Sequence, residues 1–343
     1  MNTPQPAKLT VRWGAGRLGA MAHLILSLAA AAALGYLAFA TLPPLLSGGM
    51  LAVDPYVSGR ALLLAAGIYV VGHAFRAMRL ALLIGGWDVG LRLIASFHFM
   101  SAGVSLAAPL KLGEVYRIAE LSNLIGAFTR AVEIVWWERV LDVLALVVIM
   151  LVAMNDVSNV NFQPFMGVLV IALVFICVSA LALFVLPDNL RRASILIIRR
   201  YDSRVTIPLL KFIAAVRGAI LEAPRLVQGK IGSLAALTLL IWTCEIGCLA
   251  EVLSALGYTI AQAPDSLLSF LSVLARGETL VSVLNAHGAA GGDPVLEYLP
   301  AAQEPLVLLS LLAGGLYLVQ RLRRRATAGA RQGMARALAK RPG

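Results

Sequence analysis

The sequence predicts an all-α, polytopic membrane protein. It has about six transmembrane helices and two re-entrant segments in an inverted-repeat-like arrangement, with both termini cytoplasmic. Three observations lead there. The 343 residues are 60% hydrophobic and only 14% charged, where a soluble domain carries about 25% charged residues. Mean hydropathy is +0.85, so the apolar surface exceeds what one core can hide and the bilayer must solvate much of it. Finally, the basic residues cluster. Of 29 Lys and Arg, three precede the first apolar run, nine fall in 188–230 and eight lie from Arg321 onward. Such blocks follow the positive-inside rule. No aromatic or polar loops interleave with them, which argues against nucleic acid as a partner.

A spanning helix needs about 20 apolar residues. On that measure residues 1–17 form a basic cytoplasmic tail, 18–320 the transmembrane domain and 321–343 a second basic tail. The first span is 18–41. Ala38-Phe39-Ala40 resembles a signal-peptide cleavage box, but the apolar run from Leu18 is too long for a signal h-region, so an uncleaved helix is expected. The second span is 60–84. The segments 130–154, 164–187, 231–257 and 302–320 complete the set, the last being the weakest. The loops near 42–59 and 155–163 contain no Lys or Arg and read as external. The 188–230 connector reads as cytoplasmic, its first part ending at Pro208. It is either a pair of amphipathic interfacial helices or a solvated basic linker.

Two further stretches, 93–126 and 266–301, are moderately apolar and broken by Gly, Pro and charge. Helix parity sends the first in and out from the cytoplasm and the second in and out from the outside. Two such broken segments entering from opposite faces point to an inverted-repeat transporter. The alternative is that one or both are ordinary helices in a different topology.

Charge at mid-bilayer costs about 2.5–3.5 kcal/mol per residue, so its placement is informative. His73, Arg76 and Arg79 recur every third residue on the second span. Arg79 is expected to snorkel to the interface more easily than Arg76. In the first broken segment, Pro109-Leu110-Lys111-Leu112-Gly113-Glu114 precedes Arg117. A helix starting near Gly113 would bring Glu114 and Arg117 within pairing distance and present free N–H groups to a phosphate. Glu138, Arg139 and Asp142 on the third span form the densest cluster, readable as ligand site or as structural salt bridge. Glu245, near mid-membrane on the fifth span, is expected to meet an arginine from another helix or to carry a proton. Cys177, Cys244 and Cys248 sit in apolar runs and read as small buried hydrophobes. No metal site is expected, and no cofactor.

These residues resemble the lysylphosphatidylglycerol synthase transmembrane (flippase-like) family. Its members show a PGRLGE-like motif followed by Arg, an ER..D helix, a helix with Trp and Glu, and a PGGLGxxE-like motif. Pro109–Glu114 with Arg117 is similar to the first. Glu138, Arg139 and Asp142 are similar to the second, and Trp242 with Glu245 to the third. Ala290–Glu297, containing Gly291, Gly292 and Glu297, is similar to the fourth, with Ala290 in place of Pro and Asp293-Pro294 in place of Leu-Gly. The resemblance covers about 20–320 and implies lipid handling in a bacterial-type inner membrane. The aminoacyl-transfer domain of two-domain relatives has no counterpart expected after Arg321. The expected function is therefore transport of a lipid with an anionic headgroup, bound by Arg76, Lys111, Gly113, Glu114, Arg117, Glu138, Arg139, Asp142 and Glu245. The alternative is a non-transporting accessory protein for a lipid-modifying enzyme or an envelope glycosyltransferase. No enzymatic activity is expected, because no nucleophile–base pair has suitable spacing and His287 stands alone near a motif.

Overall fold

The computed structural model describes residues 21, 25–32, 34–36, 58–85, 89–107, 112–156, 163–200, 206–259, 303 and 305–323. All regular structure among them is helical. That is the expected solution where no water is available to satisfy backbone groups. The helices are α1 (Ile25–Tyr36), α2 (Gly59–Ile84), α3 (Leu91–Ala107), α4 (Leu112–Ile125), α5 (Phe128–Asp156), α6 (Gln163–Phe184), α7 (Leu186–Arg200), α8 (Thr206–Val227), α9 (Ile231–Ala255) and α10 (Pro305–Arg323).

Four of them, α2, α6, α9 and α10, have the length and apolarity of membrane spans. Helix α5 has the length, at 29 residues, and carries Glu138, Arg139 and Asp142 in its middle. Helix α6 leaves Ile171, Val174, Val178 and Leu181 exposed, as a bilayer-facing helix must. Helices of this length and apolarity are those of a multi-pass membrane protein.

Helices α2 and α9 form an antiparallel central pair. At one end the Ser58 N–H donates to the Ala255 carbonyl at 3.1 Å. At the other, Lys230 Nζ donates to the Leu82 carbonyl at 2.8 Å. Arg130 Nη2 donates to the Ile84 carbonyl at 3.1 Å. Both cations thus satisfy carbonyls that the last turn of α2 leaves free and oppose its negative dipole end. Gly85, at φ 72°, closes the helix with its N–H on the Ala81 carbonyl, a left-handed cap that suits glycine.

The segment expected to be the first re-entrant stretch is a hairpin of two short helices, α3 and α4, of 17 and 14 residues. Residues 108–111, which include Pro109 and Lys111, lie outside the described residues. The hairpin closes tightly. A Cβ on Gly113 would sit 2.5 Å from Ser105 Cα, so only glycine lets the two helices approach this closely there.

Two expectations change at this level. Pro208 does not end the connector's first part but falls in the first turn of α8, where a missing N–H costs nothing. The last span runs on to Arg323, past the expected end at 320, and Gln303 is helical as well. Of the two readings of the connector, its described residues favour helices, as α7 and α8. Residues 1–17 and 324–343 of the tails, the 42–57 loop and the whole of 266–301, with Gly291, Gly292 and Glu297, lie outside the described residues.

Packing divides the bundle into two apolar clusters. One gathers Leu62 and Tyr69 of α2, Leu146 and Met150 of α5, and Leu249 and Leu253 of α9. The other gathers Leu80 and Leu83 of α2, Phe97 of α3, Leu121 of α4, Ile134 of α5 and Leu234 of α9. On α2, α5 and α9 alike, the polar residues fall in the chain between the two sets. The charges therefore occupy a layer with an apolar cluster on either side.

Candidate functional site

Four arginines and four carboxylates meet in that layer. Arg76 Nη2 of α2 lies 2.7 Å from Glu245 Oε1 of α9, which provides the interhelical arginine expected for Glu245. Arg79 Nη1 donates to Asp142 Oδ1 at 2.6 Å and to Thr238 Oγ1 at 3.2 Å. Arg117 Nη2 of α4 lies 3.0 Å and 2.9 Å from the two oxygens of Glu138 on α5. Arg139 donates to Glu114 on α4, and its Nη1 lies 3.7 Å from Asp142 Oδ2. Among the described residues four charges of each sign face one another, so this set is formally neutral.

The pairing differs from the local expectation. Glu114 and Arg117, three residues apart on α4, each pair with α5 instead of with each other. They lie on the hairpin beside α5, so the cross-helix partners win. Arg79 does not snorkel. Its side chain is 2% exposed and held by Asp142, while Arg139 is 44% exposed. The relative burial of these two arginines is the reverse of what their positions along the helices suggest. Gly113 is buried against Ser105 and acts by permitting close packing. Lys111 lies outside the described residues.

Sequence reasoning missed several members. Thr238 takes part through the arginine it accepts from. His98 of α3 is buried, its Nε2 3.3 Å from His73 Nδ1, and His73 Nε2 lies 3.3 Å from Arg76 Nη1. A histidine in an apolar 17-residue helix was the available signal. Glu120, 1% exposed, accepts from Tyr317 Oη at 2.7 Å and lies 2.6 Å from Arg321 Nη1, tying α4 to α10. Its signal was a carboxylate three residues beyond Arg117 on the same helix.

The layer leaves buried polar atoms of both kinds unpaired. Among the described residues, Arg79 Nε, His98 Nδ1 and Arg117 Nε are buried without a hydrogen-bond partner, and so are the acceptors Glu114 Oε2 and Glu138 Oε2. Buried polar groups are almost always paired, because an orphan forfeits its hydration for nothing. Among the described residues no group of His, Cys, Asp and Glu is arranged to hold a metal ion. The cysteines are free: Cys248 is buried, Cys244 half-buried and Cys177 exposed.

A family model described as Lysylphosphatidylglycerol synthase TM region matches residues 24–277. That range takes in α1 through α9 and every member of the charged layer. Comparisons with curated proteins and with solved structures each return no match.

Proposed function

The chain belongs to the lysylphosphatidylglycerol synthase TM region family, whose membrane domain suggests a lipid-related function; from that premise we propose that it is a flippase-like lipid transporter. It takes an anionic phospholipid or glycolipid headgroup into the charged layer while the acyl tails stay in the bilayer. The observation that carries this reading is the set of orphan donors. Arg79 Nε, His98 Nδ1 and Arg117 Nε are N–H groups in a water-poor layer, and an oxygen-rich anion is the ligand class that satisfies all three. Arg139, the most exposed arginine of the layer, exchanges its bond to Glu114 for one to the arriving headgroup. Such an exchange keeps both charges partnered, so no uncompensated ion is left in the bilayer.

In this reading the α3–α4 hairpin is re-entrant from the cytoplasmic face of a bacterial-type inner membrane. The basic end of the α2–α9 pair, with Arg130 and Lys230, lies on that side. Glu114 and Arg117 ride on the hairpin and their partners on α5. Movement of the hairpin against α5 therefore opens the layer toward one leaflet.

The formal neutrality of the layer favours a second reading: a lipid held statically, by a protein that assists a lipid-modifying enzyme or glycosyltransferase. Reconstitution into vesicles containing headgroup-labelled phosphatidylglycerol, cardiolipin and glycolipid separates the two. Transport predicts that the inner-leaflet label becomes accessible to a membrane-impermeant quencher at a rate above that of protein-free vesicles. It also predicts that Arg139→Ala slows this rate. Binding of lipid without movement across the whole panel would sink the transport reading.

A further inference from the structure

The hydrogen bonds around His73 and His98 have a direction that the geometry dictates. Arginine has donors and no acceptor, and a neutral imidazole has one nitrogen of each kind. Arg76 Nη1 faces His73 Nε2 at 3.3 Å, so Nε2 accepts and the His73 proton sits on Nδ1. That proton points at His98 Nε2, 3.3 Å away, which must accept in turn. The His98 proton is thereby placed on Nδ1, the buried nitrogen with no partner among the described residues. The relay begins at a cation, runs through two rings and ends in a donor.

The surroundings hold this arrangement in place. Tyr69 packs edge-on against His73 with ring centroids 4.9 Å apart. Phe99 packs edge-on against His98 at 5.7 Å. Arg117 of α4 and Arg76 and Arg79 of α2 are the charges close enough to act on His98. Glu245 holds Arg76 from the far side. His98 therefore stands among cations, a setting that suits an anionic acceptor.

We propose that His73 and His98 form a directed relay from Arg76 whose last member, His98 Nδ1–H, donates to a phosphoryl oxygen of the bound headgroup. His98 is then a specificity-determining residue and His73 a positioning residue that sets its tautomer. The proposal deepens the headgroup reading above and rests on it for the identity of the acceptor. The tautomers themselves do not depend on that reading.

The test has two parts. In a His23→Gln, His287→Gln background only these two histidines remain. Nitrogen-15 NMR of the labelled rings in maltoside micelles then reports which nitrogens carry protons. The relay requires Nδ1–H and a bare Nε2 on both rings; an Nε2–H on either ring overturns it while leaving the headgroup reading standing. Phosphatidylglycerol or inorganic phosphate is then added. A shift of His98 Nδ1 with the lipid alone assigns the acceptor to a lipid headgroup. A shift with both supports a phosphoryl oxygen whatever carries it. No shift with either overturns the donor role.

Substitution at His98 separates that role from mere support of His73. Asparagine places a donor where Nδ1 stands, and glutamine places an acceptor where Nε2 stands. His98→Gln should weaken phosphatidylglycerol binding about tenfold, the scale of one lost hydrogen bond, and His98→Asn by less than about threefold. The reverse order would mean that His98 only supports His73, and would overturn the proposal.

Discussion

Replacing Arg79 by methionine should destabilise the protein far more than replacing Arg139 by alanine. Arg79 is 2% exposed, with Nη1 on Asp142 at 2.6 Å and on Thr238 at 3.2 Å. Its removal leaves Asp142 with Arg139 alone, at 3.7 Å. Two unit charges with centres about 4 Å apart attract by about 4 kcal/mol at an effective dielectric constant near 20. Breaking a buried pair typically costs about 3–5 kcal/mol, because the surviving ion stays buried. Arg139 recovers part of that, so Arg79→Met should cost about 3 kcal/mol. Removing both charges, in Arg79→Met with Asp142→Leu, should restore stability to within about 1 kcal/mol of the parent, since an apolar pair leaves no stranded ion. Arg139→Ala should cost less than about 1 kcal/mol, as its 44% exposed side chain is a partner that solvent or a headgroup can replace. Reversible unfolding in mixed micelles, followed by helical circular dichroism against denaturing detergent, measures all three. A double variant as unstable as Arg79→Met would show that packing of the arginine stem, not charge, is what is lost. Equal losses for Arg79→Met and Arg139→Ala would refute the argument from burial.

Further outcomes follow from the same geometry. Gly113→Ala should destabilise the α3–α4 hairpin by about 1–3 kcal/mol through overpacking. Ser105→Gly should not rescue it, because the Ser105 Cα, as close as the Ser105 Oγ at 2.5 Å, remains; unfolding of the single and double variants checks this. Tyr317→Phe removes one of the donors on buried Glu120 and should cost about 1.5 kcal/mol, the lower range for a bond to a charged group. Accompanying loosening of α10 should speed amide exchange near Tyr317. Trp137→Phe removes the indole bond to the Ala223 carbonyl at 2.8 Å. It should cost about 1 kcal/mol and raise exchange at the α5–α8 contact, with no change near Tyr317.

The membrane class and most helices were legible in the residues themselves. The spans expected at 60–84 and 231–257 match α2 and α9 to within two residues at each end, because an apolar run long enough for the hydrocarbon has few other stable forms. Of the candidate site, the residue types were legible and the partnerships were not. Local spacing suggested Glu114 with Arg117. The partners found are 25 and 21 residues away, as Arg139 and Glu138. His73 and His98 lie 25 residues apart on two helices, and no local pattern joined them: His73 read with Arg76 and Arg79, and His98 stood alone in an apolar helix.

By itself the sequence determined that the chain lives in a bilayer, that its charges cluster near the first broken segment and the third span, and that its motifs resemble those of one family. Those are properties of composition and of order along the chain, and desolvation of the backbone translates them almost directly into helices. Only the tertiary structure decided which arginine is buried and which is open, how four cations and four anions cancel in one layer, and which donors are left over. The reason is that a charge in low dielectric takes its nearest opposite charge in space. Helix packing sets that distance, here by laying α4 beside α5 and α2 along α9.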